Sequence, residues 1–131
     1  MSDIPFYKIR DNLYLSSLVD VLKYQPPINV KFINLSGTRT NLDSLYIEIE
    51  DSADAPINDY IDNCINLIDD NEITVVFCRQ GISRSVTIII AYLLEKGLFD
   101  NYQDALSYVR SIKDNASPNF GFMCTLVNRY K

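Results

Sequence analysis

The sequence predicts an α/β fold in a single domain. Three observations carry that prediction. The chain has 131 residues, 47% of them hydrophobic, which is the size of one compact domain with its own core. Stretches of two-residue periodicity alternate with stretches of helical periodicity. Residues 73–77 (ITVVF) are short and wholly apolar, which suits a strand buried on both faces of a sheet.

The elements follow in order. Residues 6–16 alternate loosely, with Tyr7, Ile9, Leu13 and Leu15, and turn at Asp11-Asn12, so they read as a hairpin. Residues 18–24 form a short helix, stopped by Pro26-Pro27. Residues 29–35 (NVKFINL) are a strand ended by Ser36-Gly37, and residues 44–49 alternate as another. A polar loop spans 51–56. A helix then starts near Pro56, with Ile57, Ile61, Cys64, Ile65, Leu67 and Ile68 on one side, and closes at Asp69-Asp70-Asn71. After the strand 73–77 and a polar turn, residues 85–95 are almost all apolar and read as a buried helix. Residues 102–113 form an amphipathic helix with Ala105, Leu106, Val109 and Ile112 inward. Ser117-Pro118-Asn119 starts a last helix holding Phe122, Leu126 and Val127.

Composition excludes several functions. The net charge of −5 argues against binding nucleic acid or anionic membranes, although a local pocket can still be positive. No apolar run reaches membrane-spanning length, and the first residues lack a signal-peptide layout, so a cytoplasmic protein is expected. The chain contains no histidine. That rules out a Ser-His-Asp triad, a Cys-His pair and histidine-ligated metal; no metal or cofactor is expected. Three cysteines without regular spacing make neither a disulfide framework nor a zinc site. Cys64 and Cys124 read as small buried apolar side chains.

Cys78 stands apart. It ends the buried strand and opens the turn Cys78-Arg79-Gln80-Gly81-Ile82-Ser83-Arg84, which Ser85 follows into a helix. In such a turn successive amides form a nest for an anion, and the helix adds its unpaired N–H groups. Gly81 permits a conformation and close approach denied to other residues. Arg84 offers a planar fork to two phosphate oxygens. The field that holds phosphate also favours a thiolate at Cys78, and Ser85 can donate to that sulfur. Such a cysteine is a nucleophile aimed at phosphorus. Cys with Arg six places on is weak by itself. The strand before, the helix after, Gly81 and the serines flanking Arg84 make it specific. A general acid must be a carboxyl, and Glu48, Glu50, Asp51 and Asp54 all follow the 44–49 strand. Pattern alone does not choose among them.

FCRQGISRS resembles the signature of the dual-specificity protein phosphatases, a branch of the protein tyrosine phosphatases. The likeness extends through DNLYLSS, INLSG, YIEIEDS, SRSVTIIIAYLLEKG, DALSYVR and SPNFGFMCTL, nearly the whole of residues 1–131. It implies a twisted, mixed but mostly parallel sheet of about five strands flanked by helices, in a compact atypical or poxviral-type member. By position, Cys78 matches the nucleophile, Arg84 the phosphate-binding arginine and residues 79–84 the amide cradle. Ser85 matches the hydroxyl that steadies the leaving thiolate. Asp51 matches the general acid, with Asp54 in reserve. Asp51 stands 27 residues before Cys78, slightly short for the family, and a trimmed turn near Asn71-Glu72 absorbs the difference. Asn119 matches an asparagine that supports the loop from behind.

Two positions depart from the family pattern. Phe77 stands where the family has His, which implies reduced activity or an upward-shifted pH optimum. Lys113 stands where relatives often carry Arg, and reads either as a solvated lysine or as a contact for a second acidic group. The resemblance implies a shallow pocket accepting phosphotyrosine and phosphoserine or phosphothreonine in protein substrates, and a monomer. The rival readings are a catalytically dead module that binds phosphorylated partners, favoured by Phe77, and thiol redox or arsenate-reductase chemistry, disfavoured by the loop lying past mid-chain.

Overall fold

A computed structural model describes residues 4–131. Its first elements are β1 (Tyr7–Arg10) and β2 (Leu13–Ser17), an antiparallel pair turning at Asp11-Asn12. The short helix α1 (Leu18–Lys23) follows at once. Ser17 caps it by accepting from the Asp20 amide at 3.2 Å. Next come β3 (Lys31–Asn34), β4 (Ser44–Tyr46), α2 (Asn58–Leu67) and β5 (Thr74–Cys78), then α3 (Arg84–Glu95), α4 (Tyr102–Ile112) and α5 (Phe120–Arg129).

The five strands form one sheet in the order β1-β2-β5-β3-β4, parallel everywhere except between β1 and β2. The expected α/β class and mixed sheet are therefore observed. β5 is central, with β2 and β3 on either side and every residue buried, which explains its unbroken apolar run. Its side chains alternate between two cores. Val76 and Cys78 face the main core, under α2, α3, α4 and α5. Val75 and Phe77 face a smaller cluster with Tyr14, Leu18, Val21 and Phe32, covered by α1. α3 is buried along residues 85–94, as its composition demands.

Several boundaries differ from expectation. β4 ends at Tyr46, not at 49, because β3 stops at Asn34 and leaves residues 48–49 no strand to pair with; Ile47 makes the last link, its amide donating to the Asn34 carbonyl at 2.9 Å. α2 begins at Asn58, beyond Pro56. The chain first makes tight turns in which the Asp59 and Tyr60 amides reach the Pro56 and Ile57 carbonyls. Val127 is exposed, being a third of a turn round the helix from buried Leu126. Cys124 is only half-buried, whereas Cys64 is fully enclosed.

Candidate active site

The site lies at the carboxyl ends of β5, β2 and β3, where an open α/β sheet places its ligands. Between β5 and α3 the chain turns through residues 79–83. Gly81 takes a left-handed φ of +68°, and a Cβ there would lie 2.9 Å from the Ser16 carbonyl oxygen. Only glycine fits that turn without displacing β2.

The scaffold holds the loop by its carbonyls. Arg79 O accepts from the Leu18 amide, and Ile82 O from the Ser117 amide at 2.8 Å. Ser83 O accepts from both the amide and the hydroxyl of Thr87. The amides of Gln80, Gly81, Ile82 and Ser83 donate to no protein acceptor among the described residues. Carbonyls tied outward and amides left free are the arrangement of an anion-binding nest.

Cys78 is 3% exposed, and its Sγ lies 3.0 Å from the buried Ser85 Oγ. Arg84 begins α3. Its Nη1 donates to the Ile49 carbonyl at 3.0 Å, while its Nε is buried without a protein partner among the described residues. Asp51 is exposed at the surface but faces the same cavity. That cavity, about 220 Å³, is lined by Asp51, Cys78, Arg79, Gln80, Ile82, Ser83 and Arg84. Asp54, Glu48 and Glu50 do not line it. Glu48 instead accepts from the Tyr46 hydroxyl at 3.2 Å.

Asn119 does more than brace the loop. Its amide donates to Ser83 Oγ at 2.9 Å and its Oδ1 caps α5 at the Phe122 amide. Its Nδ2 donates to Asp51 Oδ1 at 2.8 Å, so one residue ties the turn after β5 to the loop that carries Asp51. Lys113 is not a freely solvated lysine. Its ε-carbon would lie 3.5 Å from a Cβ on Gly81, and Nζ donates to Asn115 Oδ1. Burial lowers its pKa, opposed by the nearby charges of Cys78, Asp114 and Asp20.

Phe77 is fully buried and packs edge-on against Phe32, ring centroids 6.1 Å apart. Its side chain stands on the face of the sheet opposite Cys78. One supporting network was not anticipated. Buried Asn34 accepts from the Ser36 amide and hydroxyl and donates to Thr38 O, and Arg79 Nη2 donates to Thr38 Oγ1 at 3.0 Å. Its sequence signal is an asparagine at the end of an apolar strand, where only a satisfied polar group is tolerated.

Comparison with known proteins bears on this arrangement directly. The family model described as "Dual specificity phosphatase, catalytic domain" matches residues 12–131. The chain belongs to the dual-specificity phosphatase family. A candidate tyrosine phosphatase of Invertebrate iridescent virus 6 is 30% identical to this phosphatase over 122 residues, 88% of this chain and 85% of the relative. Human dual specificity protein phosphatase 5 is 35% identical over 104 residues, 76% of this chain but only 27% of that longer protein. The crystal structure of DUSP15 superposes on the phosphatase with a TM-score of 0.83 at 26% identity, covering 94% of this chain and 85% of its own. Family membership makes the chain a protein phosphatase domain. No helix among its described residues is long and apolar enough to cross a membrane.

Proposed function

We propose that the phosphatase hydrolyses phosphotyrosine and phosphoserine or phosphothreonine in proteins through a cysteinyl-phosphate on Cys78. The observation that carries this reading is the convergence on one small cavity of a cysteine, a ring of unpaired amides and an arginine with an unpartnered buried Nε. A buried donor without a partner costs about 1–3 kcal/mol, and a phosphate oxygen supplies what it lacks.

Cys78 Sγ attacks phosphorus, forming the P–S bond as the P–O bond to the alcohol breaks. Protonated Asp51 donates its proton to the departing oxygen. Water then attacks phosphorus, the Asp51 carboxylate takes a proton from it, and the thiolate leaves with Ser85 donating a hydrogen bond to it. Inorganic phosphate departs. The amides and Arg84 stabilise the equatorial oxygens throughout. The cavity is below the usual range of about 300–1,000 Å³ for small-molecule sites. It accommodates the phosphoryl group and the tip of a side chain, which supports acceptance of both short and aromatic phosphoresidues.

The test is turnover of p-nitrophenyl phosphate and of phosphotyrosine and phosphothreonine peptides. The wild-type chain releases phosphate from all three and Cys78→Ser from none. A wild-type rate equal to that of Cys78→Ser would overturn this reading and favour a module that binds phosphorylated partners.

A further inference from the structure

The loop bearing Asp51 is held at three points. Arg84 holds its start through the Ile49 carbonyl, and Asn119 holds the Asp51 carboxylate. The third point is a contact between backbones. Residues 52–55 form a tight turn closed by the Ala55 amide on the Ser52 carbonyl at 3.1 Å. The tip of that turn rests on α5 at Gly121. A Cβ built on Gly121 would lie 2.0 Å from the Ala53 carbonyl oxygen, 2.6 Å from its carbon and 2.7 Å from its Cα. All three are backbone atoms, so no side-chain rotation relieves the overlap.

Gly121 lies in the first turn of a regular helix and its φ is not left-handed. The helix itself therefore has no need of glycine there; alanine is the better helix former by about 1 kcal/mol. The requirement comes from the acid loop. Restoring ordinary contact would move the Ala53 backbone by more than an ångström, two residues from Asp51. A displacement of about 1 Å in a reacting group can cost about 10²-fold in rate.

We infer that the first turn of α5 is the seat that aims the general acid. Gly121 is the positioning residue that admits the acid loop, and Asn119 is its tether. This rests on the proposed role of Asp51. Neither residue touches the reacting atoms; both act through Asp51, so their loss impairs proton donation and spares phosphate binding.

The experiment compares Gly121→Ala, Asn119→Ser, Asp51→Ala and the Gly121→Ala/Asp51→Ala double variant on phenyl phosphate and p-nitrophenyl phosphate. Serine preserves the α5 cap but is too short to reach Asp51, so Asn119→Ser tests the seat even if Gly121→Ala fails to fold. Gly121→Ala is expected to lose about 10²-fold in kcat/KM, which reports only the steps up to release of the alcohol, on phenyl phosphate, whose leaving group needs the acid, and far less on p-nitrophenyl phosphate. Asn119→Ser follows the same pattern to a smaller degree. Inhibition by orthovanadate is unchanged in both, and the double variant is no slower than Asp51→Ala alone. Losses equal on the two substrates, or multiplying with that of Asp51→Ala, would overturn the inference while leaving Asp51 its role. Absence of any leaving-group dependence in Asp51→Ala itself would instead remove the acid assignment, and the inference with it.

Discussion

Replacing Phe77 by histidine, the residue family members carry before the nucleophile, tests whether this position acts on the thiol or on the core. The structure favours the core. Phe77 is fully buried, pairs edge-on with Phe32, and lies among Tyr14, Leu18, Val21 and Val75, on the opposite face of β5 from Cys78. Loss of the aromatic pair costs about 0.5–1.5 kcal/mol. An imidazole N–H without a partner there costs about 1–3 kcal/mol more. Phe77→His is therefore expected to lose about 1.5–4.5 kcal/mol of stability, lowering the urea midpoint by about 1–2 M. Phe77→Ala, which opens a cavity, is expected to lose about 3–5 kcal/mol. The kcat/KM for p-nitrophenyl phosphate below the transition should stay within about twofold, because the ring and the Cys78 thiol pack in separate clusters on opposite faces of β5. Equilibrium unfolding by circular dichroism, with steady-state kinetics on the same samples, gives both quantities. A histidine variant as stable as the parent and several-fold more active would show that position 77 reaches the catalytic loop and that the opposite-face reasoning is wrong.

Two further predictions concern sulfur. Ser85→Ala removes the hydroxyl 3.0 Å from Cys78 Sγ. A hydrogen bond to a charged group is worth about 1.5–3 kcal/mol, so release of the thiolate should slow by about 10- to 150-fold. Stopped-flow mixing with p-nitrophenyl phosphate should then show a burst of nitrophenol of one equivalent; an unchanged kcat with no burst would count against Ser85 acting on the leaving sulfur. Burial pushes the Cys64 thiol up from 9.0 to about 12. Because its folded value is raised, its contribution to stability is complete below pH 9 and is lost as pH climbs toward 12. Native protein treated with iodoacetamide at pH 8 should thus carry no label on Cys64 by peptide mass spectrometry. Labelling of Cys64 faster than of Cys78 would contradict the enclosure described.

What was legible in the sequence is what local pattern dictates. The apolar run 73–77 suited a strand buried on both faces, and the turn from Cys78 to Arg84 read as a candidate anion site through its glycine, arginine and helix start. Asp51 was not legible from pattern, because four carboxylates share one stretch; the resemblance pointed to it, and the fold places it, and not Asp54, on the cavity wall. The links missed are those between residues distant in sequence. Asn119 and Asp51 are separated by 68 positions, and Gly121 meets Ala53 across a similar gap. Nothing local marks a glycine near a helix start as an accommodation for another loop. Lys113 stayed open between two readings for the same reason: the surface it packs on, the outside of Gly81, comes from another segment.

The arginine proposed to grip phosphate is also the one that holds Ile49. With Asn119 and α5 pinning the rest, the segment that carries the proposed proton donor is held by protein contacts alone. The proposed chemistry therefore asks for no hinge movement of this segment, and kcat is expected to stay unchanged when sucrose thickens the medium; a fall in proportion to viscosity would point to a moving loop.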